Sequence, residues 1–213
     1  LTRASNSDVQ TGDIAWTIDG WVRFTSLANS WDLVTKYTDP QREYLLYYDS
    51  ALARLRFTVY GGGTAGEIGS VSSAVVTPAA NVYYYFQASH DPTANTLRLG
   101  FTSAGTVTIT SAPTTAAAGS GTATMMIGND TDNLRLLSGA MDEVGFWKKL
   151  LSAQETSDRF NGGAGNTFGA AASQSGWGSF DFGAGFADGV PLRWLVVAAG
   201  TGVFASSNRG MTF

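Results

Sequence analysis

Apolar and polar residues alternate along much of the chain with a period of two, which is typical of half-buried β-strands. The clearest run spans residues 13–24. Its apolar face carries Ile14, Trp16, Ile18, Val22 and Phe24. Similar runs occupy residues 43–49, 54–63, 81–89, 95–103, 105–111 and 123–129. Turn residues such as Asp39-Pro40 and Asp91-Pro92 separate them. Many short strands with such turns predict an all-β fold, in which two antiparallel sheets pack as a jelly-roll sandwich.

One segment changes period and predicts a single short helix. Ser152 is followed three residues later by Glu155, the spacing of a capping box, and Gly162 and Gly163 supply a left-handed stop. Phe160 falls on the helix face that would dock on the sandwich. We therefore interpret this helix as a structural cap over an open end of the sandwich.

The last part of the chain has a different composition. Glycine, alanine and serine dominate residues 161–189, whereas the similar small-residue segment 110–122 has strand runs on both sides and is interpreted as a surface loop. We predict a jelly roll over residues 1–163 and a Gly-rich extension over residues 164–213. Within the extension, residues 193–208 resemble a hairpin turned by Gly200 to Gly202.

Composition excludes several classes of protein. The net charge is −4 and only 14% of residues are charged, so no broad basic surface is available for nucleic acid. The absence of cysteine excludes a disulfide framework and cysteine-based zinc sites. No apolar run is long enough to span a membrane. Because Leu1 is not an initiator methionine, we expect a processed or excised piece.

The segment GAMDEVGFWKKLLSAQETSDRFNGG, residues 139–163, resembles the closing signature of the laminin-G-like, concanavalin A-like jelly-roll family. That family ends in an Asp-Glu-Val strand, an aromatic residue, a Leu-Ser-x-x-Glu helix and Asn-Gly. Residues 16–24, 83–101 and 125–129 are similar to its earlier strands. The resemblance implies a concanavalin A-like fold. It implies less about function, because such domains serve as glycan binders, adhesion modules and non-catalytic attachments.

The chain lacks the residue patterns of the obvious enzymes. Jelly-roll glycosidases present carboxylates at Glu-x-Asp-x-Glu spacing from one strand, and this triplet does not occur here. His90 is the only histidine, and its place before Asp91-Pro92 predicts a surface or turn residue rather than a general base. We therefore predict a protein that is not an enzyme.

Calcium is the one metal for which the sequence offers ligands. The segments 36–44 and 128–136 follow core strands, at positions where the calcium-binding pentraxin branch of this fold carries its ligands. The resemblance implies a site formed by Asp39, Asp130 and Asp132. The alternative is that these are ordinary aspartates of turns.

The aromatic residues divide between core and ligand candidates. The inward period predicts a core containing Trp16, Phe24, Phe57, Tyr84 and Phe86. Carbohydrate-binding faces stack sugar rings on exposed aromatic side chains. The candidates for such stacking are Trp31, Tyr37, Tyr47 and Tyr60.

Two functions remain open at this point. Aromatic residues among the glycines of residues 164–213 favour a structural module that assembles into a homo-oligomer, such as a virion appendage or decoration protein. Residues 206–213 resemble an Asp-box, which implies a stable turn. The alternative is a lectin-like adhesion domain that binds a glycan, with or without calcium. Either function predicts an extracellular or virion-surface location.

Overall fold

The computed structural model describes residues 1–75, 78–131, 134–165, 195–199 and 202–204, with only the backbone of the last two ranges. The strands are β1 (Thr2–Arg3), β2 (Trp16–Phe24), β3 (Trp31–Thr38), β4 (Gln41–Asp49), β5 (Arg54–Tyr60), β6 (Glu67–Ser72), β7 (Tyr83–Asp91), β8 (Thr96–Thr102), β9 (Ile109–Pro113), β10 (Met125–Ile127), β11 (Gly139–Trp147), β12 (Leu195–Ala199) and β13 (Gly202–Phe204). The helix α1 (Ala153–Phe160) continues into a 3-10 turn, Asn161–Gly163.

The strands form two sheets that pack face to face. One sheet has six strands in the order β1-β10-β3-β4-β5-β6, and the other has seven in the order β13-β12-β11-β2-β7-β8-β9. All pairings between the described strands are antiparallel. The predicted class, an antiparallel jelly-roll sandwich with one short helix, is confirmed.

The hydrophobic core fills the space between the sheets. Trp16 of β2 packs edge-on against Phe57 of β5, with ring centroids 5.4 Å apart, and lies 5.0 Å from the ring of Tyr44. Burying side chains of this size stabilises the fold by about 1.5–3 kcal/mol each. The aromatic residues predicted for the core are all buried, namely Trp16, Phe24, Phe57, Tyr84 and Phe86.

Helix α1 lies on the outer face of the seven-stranded sheet, rather than over an open end of the sandwich as predicted. The capping box is present, since Ser152 Oγ accepts from the Glu155 amide and the Glu155 carboxylate accepts from the Ser152 amide. Phe160 stacks on Trp21 of β2, with ring centroids 5.7 Å apart, so its predicted docking is confirmed. The left-handed stop comes one residue earlier than predicted, at Asn161.

A buried ion pair fixes the helix to the sheet. Arg159 Nε donates to Asp19 Oδ2 over 2.6 Å, and Tyr85 donates its hydroxyl to the same oxygen over 3.0 Å. Trp147 Nε1 donates to the other carboxylate oxygen of Asp19 over 2.8 Å. Burial raises the pKa of Tyr85 far above its usual value, so its phenol keeps the proton that it donates.

No helix in the described part of the chain is long and apolar enough to cross a membrane.

Three strands, β1, β3 and β6, were not predicted. Strand β3 carries Asp32 and Lys36 among its apolar residues, and both are fully buried. Lys36 forms an ion pair with the equally buried Glu43 of β4. Thr11 and the Gly121 amide also bind the Glu43 carboxylate. These charged side chains are compatible with a core strand because Lys36 pairs with Glu43 and Asp32 pairs with Arg135.

The C-terminal strands extend the seven-stranded sheet. The backbone of β12 pairs with β11 in the register Gly139 to Ala198, and β13 pairs with β12. The Asp-box-like residues 206–213 and most of the extension lie outside the described residues, so the division at residue 163 stays a prediction. The segment 110–122, interpreted as a surface loop, begins within β9 and buries Ala118.

Candidate functional site

The outer face of the six-stranded sheet carries a row of tyrosines and arginines. We call Tyr37, Arg42, Tyr47, Arg56 and Tyr60 the tyrosine–arginine face. All are half-buried, and they lie on the adjacent strands β3, β4 and β5. The alternation of β-strands explains their position, because the neighbours on either side of Tyr47 and of Arg56 point into the core.

One end of this face holds two aromatic rings, tilted by 55° to each other, and a guanidinium. The rings of Tyr37 and Tyr60 lie 5.5 Å apart, and Arg42 lies 5.7 Å from the centroid of the Tyr37 ring. Asp39 holds Arg42 through a hydrogen bond of 2.5 Å. Burial raises the pKa of Tyr60 to about 12, so its hydroxyl is protonated at neutral pH. Two flat rings and several hydrogen-bond donors therefore lie together.

The other end of the face centres on Tyr47. Arg135, from the segment after β10, lies 5.1 Å from the centroid of the Tyr47 ring, and Arg56 stands directly opposite Tyr47 on β5. Arg56 Nε donates to Ser70 Oγ of β6 over 2.8 Å. Burial raises the pKa of Tyr47, against the attraction of the two arginines, so Tyr47 also keeps its proton.

Beneath Arg135 lies a pair of buried aspartates. Arg135 Nε is 3.3 Å from Asp32 Oδ2, and Arg135 Nη2 is 3.7 Å from Asp130 Oδ2. Burial, and then interaction with Asp130, raises the pKa of Asp32 to about 8, although Arg135 opposes the shift. As two carboxylates, Asp32 and Asp130 would lack a donor between them. A proton held by Asp32 supplies that donor, so the contact with Asp130 adds to the effect of burial on the pKa of Asp32.

The structure describes two of the three predicted calcium ligands, and their side chains have different partners. The side chain of Asp39 is 69% exposed and pairs with Arg42, whereas Asp130 is buried beside Asp32 and Arg135. The two segments do meet, since Thr38 Oγ1 lies 3.3 Å from Thr131 Oγ1. Asp132 lies outside the described residues. Within the described ranges, no group of three or more histidine, cysteine, aspartate or glutamate side chains is arranged to hold a metal ion.

The predicted aromatic ligand residues separate into two groups. Tyr37, Tyr47 and Tyr60 share the tyrosine–arginine face. Trp31 packs against the core instead, and its indole Nε1 donates to the Ser26 carbonyl over 2.7 Å.

Sequence reasoning missed four residues of this region, Asp32, Arg42, Arg56 and Arg135. A signal existed for Arg56, because its neighbours Leu55 and Phe57 are core residues at a period of two. The position of Asp32 depends on Arg135, which is about a hundred residues away in sequence.

His90 is not the surface or turn residue that the sequence predicted. It lies within β7, is 1% exposed and places Nδ1 3.0 Å from the Ile14 carbonyl oxygen. Its other ring nitrogen is 3.7 Å from Asp13. A strand position covered by the Ile14 backbone explains the burial.

Comparison with known families decides the relationship of the chain. A family described as the concanavalin A-like lectin/glucanases superfamily, of laminin-G type, matches residues 2–157. The chain belongs to this family. The matched range contains β1 to β11 and most of α1, so the laminin-G-like resemblance seen in the sequence is confirmed.

Solved structures of similar fold include several lectin-like domains. A pentraxin from Limulus polyphemus is 11% identical with a TM-score of 0.50, and the match covers 72% of this chain and 76% of that one. The CBM40 of the Ruminococcus gnavus IT-sialidase, bound to α2,3-sialyllactose, is 14% identical with a TM-score of 0.52, over 72% of this chain and 93% of that one.

The binding domain of botulinum neurotoxin DC, in complex with SialylT, is 12% identical with a TM-score of 0.52. Here the match covers 70% of this chain but only 35% of the toxin chain. At these identities the likeness shows the fold alone. A search of curated protein sequences finds no significant match.

Proposed function

We propose that this domain binds carbohydrate through the tyrosine–arginine face. The observation that carries the proposal is the placing of Tyr37, Tyr47 and Tyr60 on one side of the sheet, beside guanidinium groups. A pyranose ring stacks its C–H face on an aromatic ring, while its hydroxyls need hydrogen-bond partners at the ring's rim. Protonated tyrosine hydroxyls and arginines supply both kinds of contact.

The similar structures support this proposal more than the assembly role that the sequence favoured. Two of those described above hold a carbohydrate, according to their names, whereas none is described as a virion component. Helix α1 covers the opposite sheet, so the tyrosine–arginine face is the sandwich face that the helix leaves free. An extracellular or virion-surface location and the lack of an enzymatic activity stay predictions.

The test is a glycan array followed by calorimetry on the hits. We expect Tyr47→Ala to weaken binding about tenfold, because it removes a stacking ring worth roughly 1 kcal/mol and the platform under Arg135. The matched control is Tyr83→Ala. Tyr83 is also partly exposed and also lies near an arginine, Arg23 at 5.6 Å, but it belongs to the seven-stranded sheet. Equal loss in both variants, or no glycan bound at all, would contradict the proposal.

Calcium is a separate part of the proposal. The approach of Thr38 to Thr131 supports it, and the pairing of Asp39 with Arg42 argues against Asp39 as a ligand. Titration of the chelator-treated protein with calcium should raise its melting temperature if an ion binds only the folded state. No heat and no melting shift at millimolar calcium would remove calcium from the proposal, and so would an unchanged response in Asp130→Ala.

A further inference from the structure

We propose that the carbohydrate is acidic and that Arg56 binds its carboxylate or sulfate group. This inference rests on the proposed function, and it names the class of glycan and the residue that would select it.

Arg56 differs from most other arginines of the sandwich in having no acidic partner among the residues that the structure describes. Five of the arginines pair with aspartates, namely Arg3, Arg42, Arg98, Arg135 and Arg159. Arg56 makes no ion pair within the described ranges, although β5 holds it half-buried between β4 and β6 on the outer face of the sheet. A guanidinium in that position gains from an anion supplied by a ligand.

The guanidinium of Arg56 is also held in a fixed orientation. Its Nε donates to Ser70 Oγ, and the Ser70 hydroxyl lies 3.1 Å from Thr58 Oγ1 on the neighbouring strand. The Tyr47 hydroxyl interacts with the same guanidinium. Since a guanidinium carries five N–H donors, the contacts to Ser70 and Tyr47 leave N–H groups free for an anion. Pre-orientation of this kind favours binding of a carboxylate or sulfate by two hydrogen bonds.

The neighbours of Arg56 suit a sugar acid better than a free anion. Tyr47 stands opposite Arg56 across the β4–β5 pairing, and Ser72 stands opposite it on β6. An acidic sugar could place its ring against Tyr47 and its charge on Arg56. A small anion would use only the charge. The chain as a whole carries a net charge of −4, so an acidic ligand is recognised by local contacts rather than by a general attraction.

The experiment compares ligands that differ only in charge. The full chain is first screened on an array that contains neutral, carboxylated and sulfated glycans. Calorimetry then measures 3′-sialyllactose against its methyl ester, trigalacturonic acid against its methyl ester, and lactose 3′-sulfate against lactose. We expect at least one charged member to bind roughly tenfold more tightly than its neutral partner, with affinity falling as salt rises. The carboxylate and sulfate pairs distinguish the two sources of negative charge.

Three variants connect that preference to Arg56. Arg56→Ala should abolish the difference between the charged and the neutral member, and Arg56→Lys should restore only part of it, because an ammonium lacks the planar pair of donors. The control is Arg23→Ala, since Arg23 also has no ion pair within the described part of the chain but lies beside Tyr83 on the other sheet. Melting curves verify that each variant is folded.

The outcomes separate this inference from the proposed function. If the array returns only neutral glycans, or if Arg56→Ala leaves the charge preference intact in a folded protein, the acidic-glycan inference is wrong and carbohydrate binding stands. If the array returns no glycan, both proposals are wrong.

Discussion

Asp32 makes the stability of the protein depend on pH. Its pKa is raised from 3.8 to about 8 in the folded chain, so between these values the folded chain keeps a proton that the unfolded chain releases. A carboxyl group of this kind stabilises the fold most at low pH, and its contribution is lost as the pH rises through 8.

Asp32→Asn imitates the protonated side chain and removes this titration. Relative to the variant, the wild type should therefore lose unfolding free energy as the pH rises from 5 to 9, by at most about 1.4 kcal/mol per pH unit. Urea unfolding of both proteins at pH 5, 7 and 9 measures the difference. A difference that stays constant with pH would mean that Asp32 is ionised throughout.

The buried pair of Lys36 and Glu43 has a large effect that a surface pair lacks. Lys36→Met leaves the Glu43 carboxylate buried without its cation and should cost about 3–5 kcal/mol. The double variant Lys36→Met, Glu43→Gln should lose less than the sum of the two single variants, because no charge is then left alone. Lys149→Met is the control, since it breaks the exposed pair with Glu155 and should change stability by less than about 1 kcal/mol. Denaturant unfolding of each variant measures the loss of unfolding free energy. Equal losses in Lys36→Met and Lys149→Met would refute the prediction.

At the scale of elements, helix α1 contributes stability and lies away from the proposed binding face. Ser152→Ala removes the capping contact to the Glu155 amide and should cost about 1 kcal/mol. Ser157→Ala, at an exposed position within the same helix, should be neutral or slightly stabilising. Neither variant should change glycan affinity, because the helix packs on the seven-stranded sheet. Thermal melts and calorimetry test both points, and weakened binding by Ser152→Ala at a temperature where it is fully folded would contradict this view.

At the scale of the whole molecule, residues 164–213 remain the predicted assembly element. The backbone pairing of β12 with β11 means that truncation turns β11 into an edge strand of the seven-stranded sheet. We expect the truncated chain to keep its fold, because β1 to β11 and α1 form the sandwich core, and to lose any homo-oligomer. Light scattering after size-exclusion chromatography compares the two chains. The same oligomeric state in both would exclude the extension as the assembly element.

Alternation of side chains was enough to predict the sandwich and the core aromatics, and the spacing of Ser152 and Glu155 was enough to predict the capped helix, because each of these patterns involves residues close in sequence. Strand β3 was missed because Lys36 and Asp32 interrupt its apolar pattern, and the ion pairs with Glu43 and Arg135 that accompany their burial appear only in the structure. The tyrosine candidates were found from residue type. Only the structure shows that these tyrosines share one face of the sheet. Bulges in the pairing of β3 with β4 and of β5 with β6 shift the register near Tyr37 and Tyr60, so the alternation cannot be followed through the sequence there.

The two faces of the sandwich offer a simple route to a labelled reagent. Helix α1 lies on one face and the tyrosine–arginine face is on the other, while the chain contains no cysteine. Ser157→Cys would therefore introduce a unique thiol at an exposed helix position. A fluorophore attached there would label the protein on its helix side. A sensor chip coupled to the same thiol would immobilise the protein through that side, with the tyrosine–arginine face turned toward the solution.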